Sequence, residues 1–202
     1  MVLRLAGLFA LDSFGGGFAV QSFLVFFLSR KFGLDTGQLG MVFFAAGFLQ
    51  AGSFLVASRI ADRIGLLNTM VFTHLPSNLL LAAIAFAPNA STAIVLLLAR
   101  FALSQMDVPT RQAYVMALVG PDERVAASAY TSTARYVVRP VAPMLGGLAQ
   151  QVSLGLPLLI AGGIKSAYDL ALWSWFRGVP LPPTSHEEAL DDSVLADRPR
   201  AE

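Results

Sequence analysis

The sequence predicts an all-α integral membrane protein of six transmembrane helices. Two observations carry this. Of the 202 residues 55% are hydrophobic and only 13% charged, with a mean hydropathy of +0.64, whereas a soluble domain carries about 25% charged residues. A domain of this size buries only about 70% of its surface, so water is a poor solvent for this composition. The apolar residues also fall into six runs, each close to the roughly 20 residues that a bilayer-spanning helix needs.

The first run is Val2 to Leu28, closed by Arg30, Lys31 and Gly33. It is too long for a signal peptide, carries Asp12, and lacks a small-residue cleavage site. The second is Thr36 to Ser58, where Asp35 followed by Gln38 resembles a capping box. The third, Asn68 to Ala87, stops at Pro88-Asn89. The fourth, Ser91 to Val119, holds Pro109 and should kink there. The fifth, Arg124 to Gln151, holds Pro140 and Pro143, and the sixth is Leu156 to Phe176. Residues 1–178 thus form the membrane domain. Residues 179–202 open with Pro180, Pro182 and Pro183 and continue with Glu187, Glu188, Asp191 and Asp192. This acidic segment has too little apolar surface to fold and is expected to be a disordered cytoplasmic tail.

An even helix count puts both termini on one side. With cytoplasmic termini the inner basic set is Arg4, Arg59, Arg63, Arg124 and Arg177, against Arg30 and Lys31 outside, so the positive-inside bias favours that orientation. Lysine occurs only at Lys31 and Lys165, the other basic residues being arginine. We read this as a genomic base-composition bias pointing to a bacterial inner membrane.

Several chemistries are excluded. The absence of cysteine removes disulfides, thiolate metal sites and cysteine nucleophiles. A net charge of +1 gives no basic surface for nucleic acid. An intramembrane protease needs a Gly-x-Ser-x-Gly nucleophile and a helix-borne histidine; the serine motif is missing. A lipid-headgroup transferase needs clustered aspartates for a metal, and Asp12, Asp107 and Asp169 are scattered. No cofactor or metal is implied. A membrane-embedded enzyme is therefore the alternative reading, beside a non-transporting scaffold or remnant.

The stretch Ser58-Arg59-Ile60-Ala61-Asp62-Arg63-Ile64-Gly65 follows the second helix. It resembles the Gly-x-Leu-Ala-Asp-Arg-x-Gly loop signature of the major facilitator superfamily, with Ser58 in place of the first glycine and Leu66-Leu67 in place of the basic pair. Arg100 sits where the family often has a helix-borne arginine. Pro121-Asp122-Glu123-Arg124 resembles its Pro-x-Glu-Arg turn, and Pro143-Met144-Leu145-Gly146-Gly147 the end of its Gly-Pro-x-x-Gly-Gly element. The order and spacing of these elements span roughly residues 5 to 177, and the weak loop motif is similar to the copy in the C-terminal half of such proteins.

The resemblance implies half of a facilitator fold, built as two three-helix inverted repeats. It implies secondary transport of a small solute by alternating access, by a half-length or fragment protein that forms a homodimer or pairs with a second six-helix half; proton coupling is expected from the buried carboxylates Asp12 and Asp107. Asp62, Arg63 and Gly65 would form the gating loop.

Ionisable residues inside a bilayer are costly and usually functional. Those within the runs are Asp12, Arg100, Asp107, Arg111, Arg135, Arg139, Lys165 and Asp169. Asp107 and Arg111 share a helical face, as do Lys165 and Asp169. The resemblance assigns the first, second, fourth and fifth helices to the cavity wall, which makes Asp12, Asp107, Arg111 and Arg135 the pathway candidates and Lys165–Asp169 a structural pair. Asp12 has no charged neighbour within reach along its own helix, so it is the expected proton carrier, with hydrogen bonding to another helix as its other reading. Arg111 and Arg135 would modulate it or hold an anionic group. His74 is expected to be a helix-packing residue, and Gln21 and Gln50 to make interhelical bonds or meet a ligand.

Overall fold

The computed structural model describes residues 1–179, so the acidic segment from residue 180 onward lies outside the described residues. The described chain is all helical: α1 Val2–Gly17, α2 Gln21–Phe32, α3 Thr36–Ile64, α4 Leu66–Ile84, α5 Ala90–Leu103, α6 Asp107–Ala117, α7 Arg124–Val138, α8 Val141–Val152 and α9 Leu156–Phe176, with one 3-10 turn at Pro121–Glu123. Three of the expected apolar runs are each split in two, giving α1–α2, α5–α6 and α7–α8.

Two of these splits have a proline cause. Pro109 has no N–H to give to Gln105, and its ring clashes with that carbonyl; the helix stops at Leu103 and restarts at Asp107. Pro140 acts in the same way on Tyr136, and the chain breaks between Val138 and Val141. The α1–α2 break follows Gly15-Gly16-Gly17, where the amides of Phe18 and Ala19 bond three residues back, to the carbonyls of Gly15 and Gly16, at 3.2 and 3.1 Å. Pro76, by contrast, lies inside a continuous α4.

The caps follow the sequence closely. The amide of Gln38 donates to Asp35 Oδ1 at 2.8 Å and the amide of Asp35 donates back to Gln38 Oε1 at 3.1 Å, completing the capping box. Asn89 caps α5 by accepting from the Thr92 amide at 2.9 Å.

One expectation is corrected here. Asp62 and Arg63 do not lie in a loop: α3 continues helically to Ile64, beyond the expected end at Ser58. Charged residues are tolerated in a helix once it leaves the apolar layer, and both side chains are exposed. The turn into α4 is Gly65 alone, at φ +85°, a backbone conformation in which a side chain would be strained.

α4 packs against α9 and α5; α1 packs against α7 and α9; α3 packs against α5. Two apolar clusters fill the interior. One contains Leu24, Phe27, Leu28, Leu81, Ile84, Leu97 and Leu158. The other contains Leu5, Phe9, Met70, Tyr114, Tyr168 and Leu172. On α1, α4 and α9 alike the polar residues Asp12, His74, Asn78 and Lys165 fall between the residues of the two clusters, and Asp169 lies at the edge of the second, next to Tyr168.

The outer surface is apolar. On α3 only Leu39, Ala46, Ser53 and Ala57 are buried, a single helical stripe facing α5. Met41, Phe44, Phe48 and Leu55 are 68–70% exposed, a surface suited to lipid and not to water. Among the described residues four helical segments are long and apolar enough to cross a membrane: Val2–Phe32, Thr36–Ile64, Leu66–Ile84 and Ala90–Ala117. The two remaining segments carry charges inside or at their ends, Lys165 and Asp169 in α9 and Arg135 and Arg139 in and just after α7.

The closeness of α4 and α9 depends on Gly162. A methyl group there would stand 2.8 Å from the Asn78 carbonyl oxygen and 2.9 Å from Ala82 Cβ, whereas Gly163 has open space. Gly162→Ala should therefore lower the thermal unfolding midpoint in detergent, with a stability loss of about 1–3 kcal/mol from overpacking. Gly163→Ala should be neutral or mildly stabilising. Equal effects of the two substitutions would contradict this packing.

Candidate functional site

Asp12 is the hub of the polar layer. It projects from the middle of α1 and is 3% exposed. A carboxylate this deep in an apolar bundle is stable only with close partners, and three other helices supply them. Lys165 of α9 donates to Oδ1, Arg111 of α6 donates through Nη1 to Oδ2 at 3.3 Å, and His74 Nε2 of α4 lies 3.8 Å from Oδ1. Gly15, one turn along α1, leaves the room for the lysine: a Cβ there would lie 2.9 Å from Lys165 Cγ. The sequence is right that α1 offers Asp12 no charged neighbour; the partners arrive across helix interfaces.

Arg111 joins Asp12 to Asp107. It pairs with Asp107 along its own helix, as the spacing of four predicts. Its guanidinium also stacks over the Phe9 ring at 5.4 Å, a cation–π contact that desolvation strengthens. One side chain thus ties α6 to α1 twice.

Lys165 and Asp169, expected to pair with each other, each take a partner elsewhere. Lys165 goes to Asp12. Asp169, fully buried, shares a 2.8 Å hydrogen bond with His74 Nδ1 and accepts from Asn78 Nδ2 at 2.8 Å. His74 packs edge-on against the Tyr168 ring of α9, a helix-packing contact as expected, and in addition bridges two aspartates. Its Nδ1 faces Asp169 and its Nε2 faces Asp12. The signal for this role was in the sequence as two coincident spacings of four, His74 with Asn78 on α4 and Lys165 with Asp169 on α9, which give each helix one polar face.

A cavity of about 520 Å³ opens beside this network, lined among others by Asp12, His74, Arg100, Asp107, Arg111, Arg135, Arg139 and Lys165. All four pathway candidates from the sequence, Asp12, Asp107, Arg111 and Arg135, are therefore on its wall. Gln105 Nε2 donates to Gln50 Oε1 at 3.1 Å on the same wall, so Gln50 ties α3 to the break between α5 and α6, and Gln21 lines it too. A second cavity, also of about 520 Å³, is lined by Phe9, Pro109, Ser128 and Thr131 together with Arg111 and Arg135. These two arginines are shared by both spaces. Arg135 is fixed through its backbone: its carbonyl accepts from Ser13 Oγ at 2.9 Å, linking α7 to α1.

Asp62 and Arg63 are remote from the cavity and make no ion pair among the described residues. Among the described residues no group of three His, Cys, Asp or Glu side chains is placed to hold a metal ion.

The sequence pattern of the Major Facilitator Superfamily matches residues 5–200. An uncharacterized membrane protein of Saccharomyces cerevisiae is 28% identical over 181 residues, covering 89% of this chain. The chain spans about 40% of that relative's length.

The pairing around Asp12 is tested by a double-mutant cycle. Asp12→Asn and Lys165→Met should each destabilise the detergent-solubilised protein, because the first strands a buried lysine and the second takes one of the two cations from a buried carboxylate. The double substitution should cost less than the sum, with a coupling of roughly 1–3 kcal/mol in the unfolding free energy. Strict additivity would show that the two side chains do not neutralise one another.

Proposed function

Because the chain belongs to the Major Facilitator Superfamily, we propose that it is a secondary transporter that moves a small solute across a membrane by alternating access, with proton coupling. The observation that carries this reading is the cavity of about 520 Å³ walled by ionisable side chains inside an otherwise apolar bundle. Buried charge of this density is costly in a membrane and is retained where ions or solutes move. Family membership points to transport rather than to an enzymatic reaction.

In this reading the chain crosses the membrane six times, as two three-helix inverted repeats with cytoplasmic termini. The α7–α8 segment and α9 form the fifth and sixth spans, their polar residues being turned to the network and cavity. Asp12 carries the proton. It touches Lys165, Arg111 and His74, so neutralising it removes the counter-charge of residues on three helices at once. Asp107 with Arg111 acts as the gating pair, and Asp62, Arg63 and Gly65 shape the cytoplasmic end of α3. The exposed apolar residues Tyr136, Val137, Met144 and Leu148 of α7 and α8 lie on the segment that carries the cavity-lining Arg135. They suit a second six-helix bundle, from another copy or a partner polypeptide, that closes the cavity.

Two measurements follow. In proteoliposomes, Asp12→Asn should abolish proton-driven uptake while sparing substrate exchange, and Asp107→Asn should slow both without uncoupling them. Uptake that stays proton-coupled in Asp12→Asn would rule out this assignment. Single cysteines at Asn89 and Ser153 should react with an impermeant reagent from outside and a cysteine at Gly65 only from inside; the reverse pattern would invert the topology.

A further inference from the structure

Among the described residues Arg100 is the most deeply buried of the cavity cations that take part in no ion pair. It lies in the last turn of α5 and is 9% exposed. Its buried Nε has no hydrogen-bond partner, and its guanidinium takes part in no ion pair among the described residues. The guanidinium stacks over the Phe101 ring at 5.1 Å, and the Arg100 backbone carbonyl accepts from Ser77 Oγ at 3.3 Å. The carboxylates of the layer are already occupied: Asp12 by Lys165 and Arg111, Asp107 by Arg111, Asp169 by His74 and Asn78. Arg135 lines the same cavity and likewise has a buried Nε without a partner. Arg139, exposed, adds a third unpaired cation to the wall.

We propose that Arg100 and Arg135 form an anion-binding subsite in this cavity, and that the solute is a small organic anion bearing a carboxylate or phosphate group. The proposal rests on the transport reading for its consequence and deepens it by naming the solute's chemical class. A guanidinium offers a planar fork of donors that matches either group bidentately. A buried, unpaired guanidinium is unfavourable for folding, and an anionic ligand removes that penalty on binding, so the cost of the empty state becomes affinity. The Gln50–Gln105 pair on the same wall supplies neutral hydrogen bonds to the remainder of such a molecule. The cavity volume of about 520 Å³ is in the range that accommodates small ligands.

The test is thermal unfolding of the full purified chain in neutral detergent with succinate and glycerol 3-phosphate as anionic probes, beside succinamide and glycerol as their neutral counterparts and choline as a cation, each titrated into the millimolar range. We expect at least one anionic probe to raise the unfolding midpoint while its neutral counterpart does not; the better of the two distinguishes carboxylate from phosphate. Arg100→Gln should weaken that binding by about tenfold or more, and Arg100→Lys, which keeps charge without the fork, by less. Arg30→Gln, at an exposed cation outside the cavity, should leave it unchanged. Without probe, Arg100→Gln should unfold at a higher temperature than the parent, because it deletes a buried unpaired charge. A lower midpoint would reveal a permanent structural partner and overturn the proposal. So would stabilisation by none of the anions, or anion binding untouched by Arg100→Gln. Uptake assays separate the two levels: transport of a neutral or cationic solute sinks the subsite and leaves the transporter, whereas anion binding without any transport does the reverse.

Discussion

The constraint on which this structure depends is charge neutrality around Asp12. An ionised carboxylate in an apolar interior is unfavourable by several kcal/mol unless opposite charges and hydrogen bonds surround it. α1 has no such group of its own near Asp12, so neutrality requires that α4, α6 and α9 converge on this point. Lys165, Arg111 and His74 do so, and the helix arrangement follows from where their side chains must end. The apolar clusters at either end of the bundle add burial, but apolar packing alone tolerates many registers. The ion pairs select one.

The breaks in the helices serve the same layer. The α5–α6 interruption at Ser104 to Met106 lies between Arg100 and Asp107, so the two residues need not follow one continuous helical rotation. Arg100 stays in α5 against the cavity, while Asp107 opens α6 and turns to Arg111. The break at Arg139 and Pro140 similarly ends α7 just beyond Arg135, within the cavity wall. The glycine-rich end of α1 comes within Cβ distance of α9 and α8, which lets Lys165 approach Asp12 closely. Small residues at membrane helix contacts commonly have this function.

Much of this was legible beforehand because it is local. Apolar runs, the Asp35–Gln38 capping box, the proline at the α5–α6 break and the Asp107–Arg111 pair all depend on residues within a few positions of one another. The extension of α3 through Asp62 and Arg63 was missed because a charged stretch beside a glycine reads as a loop, although nothing in those residues opposes a helix emerging into water. The partners of Lys165 and Asp169 were missed for a different reason. A spacing of four makes a pair possible on one helix, but Lys165 gains more from the aspartate across the interface, and Asp169 from His74 and Asn78. Which pairing wins depends on distances between helices, which no spacing within one helix encodes.

Arg111 and Arg135 show how such a layer can do work. Both border the two cavities described beside the network, so in the proposed function a solute or proton moving between these spaces would pass their guanidinium groups. Arg111 is held by Asp12 and Asp107 together, whereas Arg135 is anchored through its backbone carbonyl to Ser13 and leaves its side chain unpaired. In the proposed cycle, a proton on Asp12 would free Lys165 and loosen one of the two holds on Arg111 while its link to Asp107 persists. The charge released is then balanced best by an anion arriving at Arg135 and Arg100. Protonation and anion binding would thus favour each other through shared side chains, and reciprocity requires that the anion in turn raise the affinity of Asp12 for its proton. Coupling of this kind needs no long pathway through the protein, because the groups concerned line one cavity.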